Sequence, residues 1–124
     1  MIFDFLIGRI ASFKYAFEGI AELLKKEKNT RIHLFFTVAA IAAGFIFKIS
    51  PIEFCIIILT ISSVWCAEAM NTAVERAVDL VTHDKKPLAK ASKDLAAGAV
   101  LICAIGSVFV GLIIFLPKFI ALFH

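Results

Sequence analysis

Apolar positions first recur every third or fourth residue, then run almost unbroken through three later stretches. Leu6, Ile10, Phe13, Phe17, Ile20 and Leu24 follow spacings of 4, 3, 4, 3 and 4, with Arg9, Ser12, Glu18, Glu22 and Lys25 on the other side. This period predicts an amphipathic helix over residues 1–28, too charged to span a bilayer and suited to lying in its surface. A soluble partner covering the same face is the alternative. The apolar stretches are Ile32 to Phe47, Ile52 to Ala67 and Leu95 to Leu116. A span needs roughly 20 residues, so the first two must borrow a turn from their flanks. Helices are therefore predicted at about 31–48, 51–81 and 92–117. Between the first two, Ser50 can cap a helix with Pro51 at its first position and Glu53 reaching back. Nothing stops that helix before the Thr82-His83-Asp84-Lys85-Lys86-Pro87 stretch. The whole is an all-α membrane protein, a surface helix followed by three transmembrane helices in a single unit of 124 residues.

The last part of the middle helix breaks the apolar pattern in an ordered way. Glu68, Asn71, Glu75 and Asp79 fall within an arc of about 80° on one helical face. Counting from Ser50, Glu68 lies about 27 Å along the helix, close to the boundary of a hydrocarbon core about 30 Å thick. The other three lead outward from there. Glu27, Asn29 and Arg31 at the mouth of the first span, and Lys93 and Asp94 at the mouth of the third, belong to the same layer. Charged residues at membrane depth are costly and usually functional. Helix-end ion pairing accounts for most of the lysines but not for Glu68, which lies inside the apolar run.

Composition agrees with the pattern: 61% of residues are hydrophobic and the mean hydropathy is +0.96. No linker, internal repeat or low-complexity tract divides the chain, and its start does not look like a removable signal peptide. The net charge of +3 matters less than its placement. Eleven basic residues precede the first span or lie between the second and third, and only Lys48 and Lys118 fall on the opposite side. That asymmetry predicts a cytoplasmic N-terminus and an external C-terminus. Cys55, Cys66 and Cys103 lack metal-ligand spacing and read as small apolar residues rather than disulfide partners. Ala99, Cys103, Ser107 and Gly111 place a small residue at every fourth position of the third span. Such a row lets helix backbones approach closely, though chance in an alanine-rich helix explains it equally.

Carboxylates with room for water suit magnesium, which takes one or two of them together with phosphate oxygens. A lysine beside them could neutralise phosphate, and a carboxylate at the lipid boundary could accept a hydroxyl proton. These are the parts of a phosphoryl transfer from a soluble donor to a membrane-embedded alcohol. There is no Walker-A or kinase Gly-rich loop, so any nucleotide site is of another kind.

The run Glu68-Ala69-Met70-Asn71-Thr72-Ala73-Val74-Glu75 with Asp79 resembles the E-x-x-N-[ST]-A-[IV]-E-x-x-[VI]-D signature of small bacterial integral-membrane lipid kinases, the prokaryotic diacylglycerol kinases and undecaprenol kinases. The likeness extends to Lys93-Asp94-Leu95-Ala96-Ala97-Gly98-Ala99-Val100 and to Ser12-Phe13-Lys14-Tyr15-Ala16 with Gly19. The resemblance implies a homotrimer in the bacterial cell membrane with active sites shared between subunits. It implies Glu68 as catalytic base and Glu27 with Glu75 as magnesium ligands. ATP would meet Tyr15, Glu27, Asn71, Glu75, Asp79, Lys93 and Asp94, and the lipid would meet Glu68, Ser12 and Ala97. Relatives often carry an acidic-Tyr-His run where this chain has Asp84-Lys85-Lys86, so purine contacts from that loop are not carried over. The Ser-Phe-Lys-Tyr-Ala opening, Asn29 with His33, and Pro87-Leu88-Ala89-Lys90 look more like the undecaprenol kinases than the proteobacterial diacylglycerol kinases.

Phosphorylation of undecaprenol by Mg·ATP is thus the leading expectation, with diacylglycerol as the alternative acceptor. A proton carrier or channel would need ionisable groups through the bilayer, and the stretches Phe35 to Phe47, Phe54 to Ala67 and Leu95 to Leu116 contain no Asp, Glu, His, Lys or Arg. An assembly subunit with a charged rim leaves Glu68 unexplained.

Overall fold

The structure, a computed structural model, describes residues 1–26 and 28–124, without the side-chain surroundings of Lys26 and Lys28. The described residues are all-helical, in the order α1 (Ile2–Lys26), α2 (Lys28–Ile46), α3 (Pro51–Val81) and α4 (Pro87–Ala121). They divide between two compact units, Met1–Ile32 and His33–His124.

In the first unit the apolar row of α1 is laid bare. Leu6, Ile10, Phe13, Phe17, Ile20 and Leu24 are all exposed. Charges support the other face, where Lys14 reaches Glu18 one turn on at 4.0 Å. Asp4, 3.3 Å from the terminal amine, puts a carboxylate where the helix dipole favours it. The buried Thr30 donates its hydroxyl to the Leu23 carbonyl at 3.1 Å, satisfying an acceptor near the end of α1.

In the second unit, α2 ends in a reversal built on Lys48, whose φ of 51° lies in the left-handed region. The Ile49 amide bonds the Gly44 carbonyl at 3.1 Å and the Lys48 amide bonds the Phe45 carbonyl at 3.3 Å, the paired bonds of a Schellman motif. Gly44 is buried there because a Cβ would stand 2.8 Å from the Phe54 ring and 3.1 Å from Ile49.

Two residues later α3 starts as the capping box predicts. The Glu53 amide donates to the Ser50 hydroxyl and the Ser50 amide to the Glu53 carboxylate, both at 3.1 Å, with Pro51 at the first helical position. Glu53 also meets Lys118 of α4 at 3.2 Å. At the other end the Thr82 hydroxyl accepts the Asp84 amide at 3.1 Å and turns the chain.

Helix α4 is longer than the 92–117 expected from sequence. It begins at Pro87, since a proline has no amide to leave unbonded in a first turn, and it continues through Pro117 to Ala121. Antiparallel α3 and α4 pack together. Glu53–Lys118 closes one end and Lys93–Asp79, at 2.6 Å, the other. Between them Ile57 and Ile61 of α3 meet Val110, Ile114 and Phe115 of α4, with Ala40, Phe47, Ile49 and Phe54 completing the cluster. Among the described residues three helices are long and apolar enough to cross a membrane, and most of their residues face outward. Apolar side chains turned outward with backbone bonds satisfied inside each helix are what a lipid solvent selects. Cys55, Cys66 and Cys103 are free.

Candidate functional site

The polar stripe grades from buried to half-buried along α3. Glu68 and Thr72 are buried, at 4% and 7% exposure, while Asn71, Glu75 and Asp79 are half-buried. The Asn71 amide lies 3.4 Å from the Glu75 carboxylate one turn on, and the Asn71 carbonyl oxygen is buried with no partner among the described residues. A buried acceptor left open beside a carboxylate is a site for something to fill.

Across from the outer stripe, Lys93 of α4 holds Asp79 at 2.6 Å. Lys90 and Asp94 pair at 2.5 Å within α4 and are exposed. Ala97, one turn beyond Lys93, is also exposed. Asn71, Glu75, Asp79 and Lys93 are thus drawn together at one end of the second unit, and Asp94 answers to Lys90 instead. Ser12 and Tyr15 are exposed on α1 in the first unit. Glu27, expected as a metal ligand and ATP contact, lies outside the described residues. Among the described residues no three His, Cys, Asp or Glu side chains converge. The Glu75 carboxylate and the Asn71 side-chain carbonyl, one helical turn apart on α3, are hard oxygen donors of the kind magnesium takes.

The contact that sequence alone did not give is at Glu68. His33 Nε2 of α2 lies 3.3 Å from Glu68 Oε2. The imidazole meets the Trp65 ring edge-on, with centroids 6.3 Å apart. Trp65 Nε1 donates to the Thr37 hydroxyl at 2.9 Å, and that hydroxyl donates to the His33 carbonyl at 2.7 Å. The available signal was a histidine at the mouth of the first span, but pairing it with Glu68 needs the register of α2 against α3.

Among the described residues, three apolar helices of spanning length, with carboxylates, an amide and a lysine gathered at one end, define a multi-pass membrane protein with a polar cluster at that end. The chain belongs to the prokaryotic diacylglycerol kinase family, whose profile matches residues 14–115, and is a lipid kinase. It is 46% identical over 107 residues to an undecaprenol kinase of Bacillus subtilis, covering 86% of this chain and 87% of that one. It is 40% identical over 114 residues to a diacylglycerol kinase of Synechocystis, covering 91% of this chain and 65% of the other. A diacylglycerol kinase of Haemophilus influenzae is 30% identical over 108 residues, 86% and 92% of the two chains. Membership of a kinase family implies ATP as phosphoryl donor.

Proposed function

We propose that the chain transfers the γ-phosphoryl group of ATP, with magnesium, to undecaprenol at the cytoplasmic membrane face. The observation that carries this reading is a buried carboxylate, Glu68, at the inner end of a stripe whose outer members are half-buried. A lipid hydroxyl held at headgroup depth meets Glu68, and the water-soluble donor meets the outer residues. The hydroxyl oxygen attacks the γ-phosphorus, its proton passes to Glu68, and the bond to the β–γ bridging oxygen breaks to release ADP. The transition state is loose, so Glu68 mainly orients the hydroxyl and takes the proton late.

Glu75 and Glu27 would hold magnesium, and the open Asn71 oxygen beside Glu75 fits that donor set. Magnesium bound with ATP neutralises phosphate charge. Lys93, positioned by Asp79, receives the phosphates, with Asn71, Asp94 and Tyr15 completing the ATP contacts. Ser12 and Ala97 would touch the lipid. The basic residues flanking the spans support a cytoplasmic site, and α4 positions such as the exposed Gly106 and the half-buried Gly111, with open space at their Cβ, leave room for a homotrimer.

Undecaprenol is preferred over diacylglycerol on the 46% identity to the Bacillus subtilis enzyme. Diacylglycerol is the second reading, supported by the Synechocystis and Haemophilus relatives. The test is phosphorylation of both lipids by purified protein, side by side in mixed micelles. A kcat/KM at least tenfold higher for undecaprenol is expected, from a difference of about 1.4 kcal/mol or more; the reverse order would assign diacylglycerol.

A further inference from the structure

We propose that His33 is a positioning residue for Glu68, holding one carboxylate oxygen so that the other faces the lipid hydroxyl. The inference rests on Glu68 being the base.

Glu68 is almost wholly buried, and a buried carboxylate needs a partner. The group set against it is His33, whose Nε2 lies 3.3 Å from Oε2; the side chains are 20% and 5% exposed. An imidazole carries a hydrogen on Nε2 in one neutral tautomer and in its protonated form, so it can restrain that oxygen in either state. One neighbour meets the ring itself and a second ties that neighbour to the His33 backbone. Trp65, three residues before Glu68 on α3, stands edge-on to the ring. Thr37, four residues after His33 on α2, bonds both the Trp65 indole and the His33 carbonyl. One pair of residues from each helix therefore interlocks around the carboxylate.

The Trp65–Thr37 bond already fixes α2 against α3 at this level, as Gly44 against Phe54 does further along. The His33–Glu68 contact adds to a docking that those two contacts also serve. Its effect is on where the carboxylate points. A general base must meet its proton in a narrow geometry, and a displacement of about 1 Å can cost on the order of 10²-fold in rate.

The experiment compares kcat and the KM for ATP in wild type, His33→Phe, His33→Asn, His33→Gln, Glu68→Gln and the double variant Glu68→Gln/His33→Phe, with undecaprenol and diacylglycerol as acceptors. His33→Phe keeps the ring volume and removes the N–H; it should lower kcat by about tenfold or more with the ATP KM within about twofold of wild type. His33→Asn is too short to reach Oε2 and should show the same loss, so it carries the test if the Phe variant does not fold. His33→Gln keeps an N–H at longer reach and should recover to within about threefold of wild type. In the Glu68→Gln background, His33→Phe should change the residual rate by less than about twofold, because the two act as one unit. Near-normal kcat in both His33→Phe and His33→Asn, or losses that multiply in the double variant, would overturn the proposal. If Glu68→Gln is inactive while the His33 variants are normal, only the role of His33 falls. If Glu68→Gln is itself active, the base assignment falls and this one with it.

Discussion

At the scale of single residues, the two glutamates of the stripe differ most in what surrounds them. Glu68 is enclosed, so its replacement by the isosteric Gln removes a proton acceptor with little change in shape. Turnover should fall by at least about 10²-fold while the ATP KM stays within a few-fold, the pattern of an interaction realised in the transition state. Initial-rate kinetics in micelles check this, and a variant with near-normal kcat would place the base elsewhere. Glu75 is half-buried beside an unpartnered amide oxygen, so Glu75→Gln should instead raise the magnesium concentration needed for half-maximal rate. A magnesium titration like that of wild type would remove the assignment. Glu53→Gln is the control, because Gln can still close the capping box and only the contact to Lys118 is lost. The stripe was legible in sequence because four residues of one helix share a face whatever the fold does. His33 was not, since its role depends on which turn of α2 meets which turn of α3.

Whole elements show where local rules suffice. The start of α3 was readable from Ser50, Pro51 and Glu53 because a cap is made by neighbours in sequence. The start of α4 was not, since Pro87 reads as a stop for the helix before it and serves equally as the first residue of the next. The reversal after α2 hides another ambiguity: Lys48 adopts a conformation that favours glycine, with no glycine there to announce it. Lys48→Gly should raise stability by up to about 1 kcal/mol, by relieving left-handed strain. Gly44→Ala should lower it by about 1–3 kcal/mol, since the new methyl group displaces the Phe54 ring. Thermal unfolding in detergent orders the two variants on either side of wild type; a stabilised Gly44→Ala would contradict the packing described.

For the whole molecule, the three spans were legible because hydropathy is a property of stretches rather than of contacts, and the placement of lysines and arginines adds an expected orientation that labelling tests. Cysteines introduced at Asp84 and Phe123 in a cysteine-free background should label from opposite faces of intact cells. The Phe123 site should react with an impermeant thiol reagent and the Asp84 site should not. Reaction of both from outside would overturn the proposed cytoplasmic placement of the proposed ATP residues. The lipid acceptor is the least legible feature, because a groove for hydrocarbon is lined by apolar side chains that look alike in sequence.

The paired ends of α3 and α4 have a consequence for the host bilayer. Asp79 lies 26 residues beyond Glu53, and Lys118 lies 25 beyond Lys93, so the two ion pairs are matched in spacing. At 1.5 Å per residue they stand about 38 Å apart, more than a hydrocarbon core of about 30 Å and less than the full bilayer of about 40–45 Å. The hairpin is a caliper with charged jaws, spaced so that each fits a headgroup layer. Activity in vesicles of graded acyl length should therefore peak at one thickness and fall on both sides. In thicker bilayers the jaws are drawn into hydrocarbon, and in thinner ones the hairpin must tilt and carry Glu68 away from the depth of its lipid substrate.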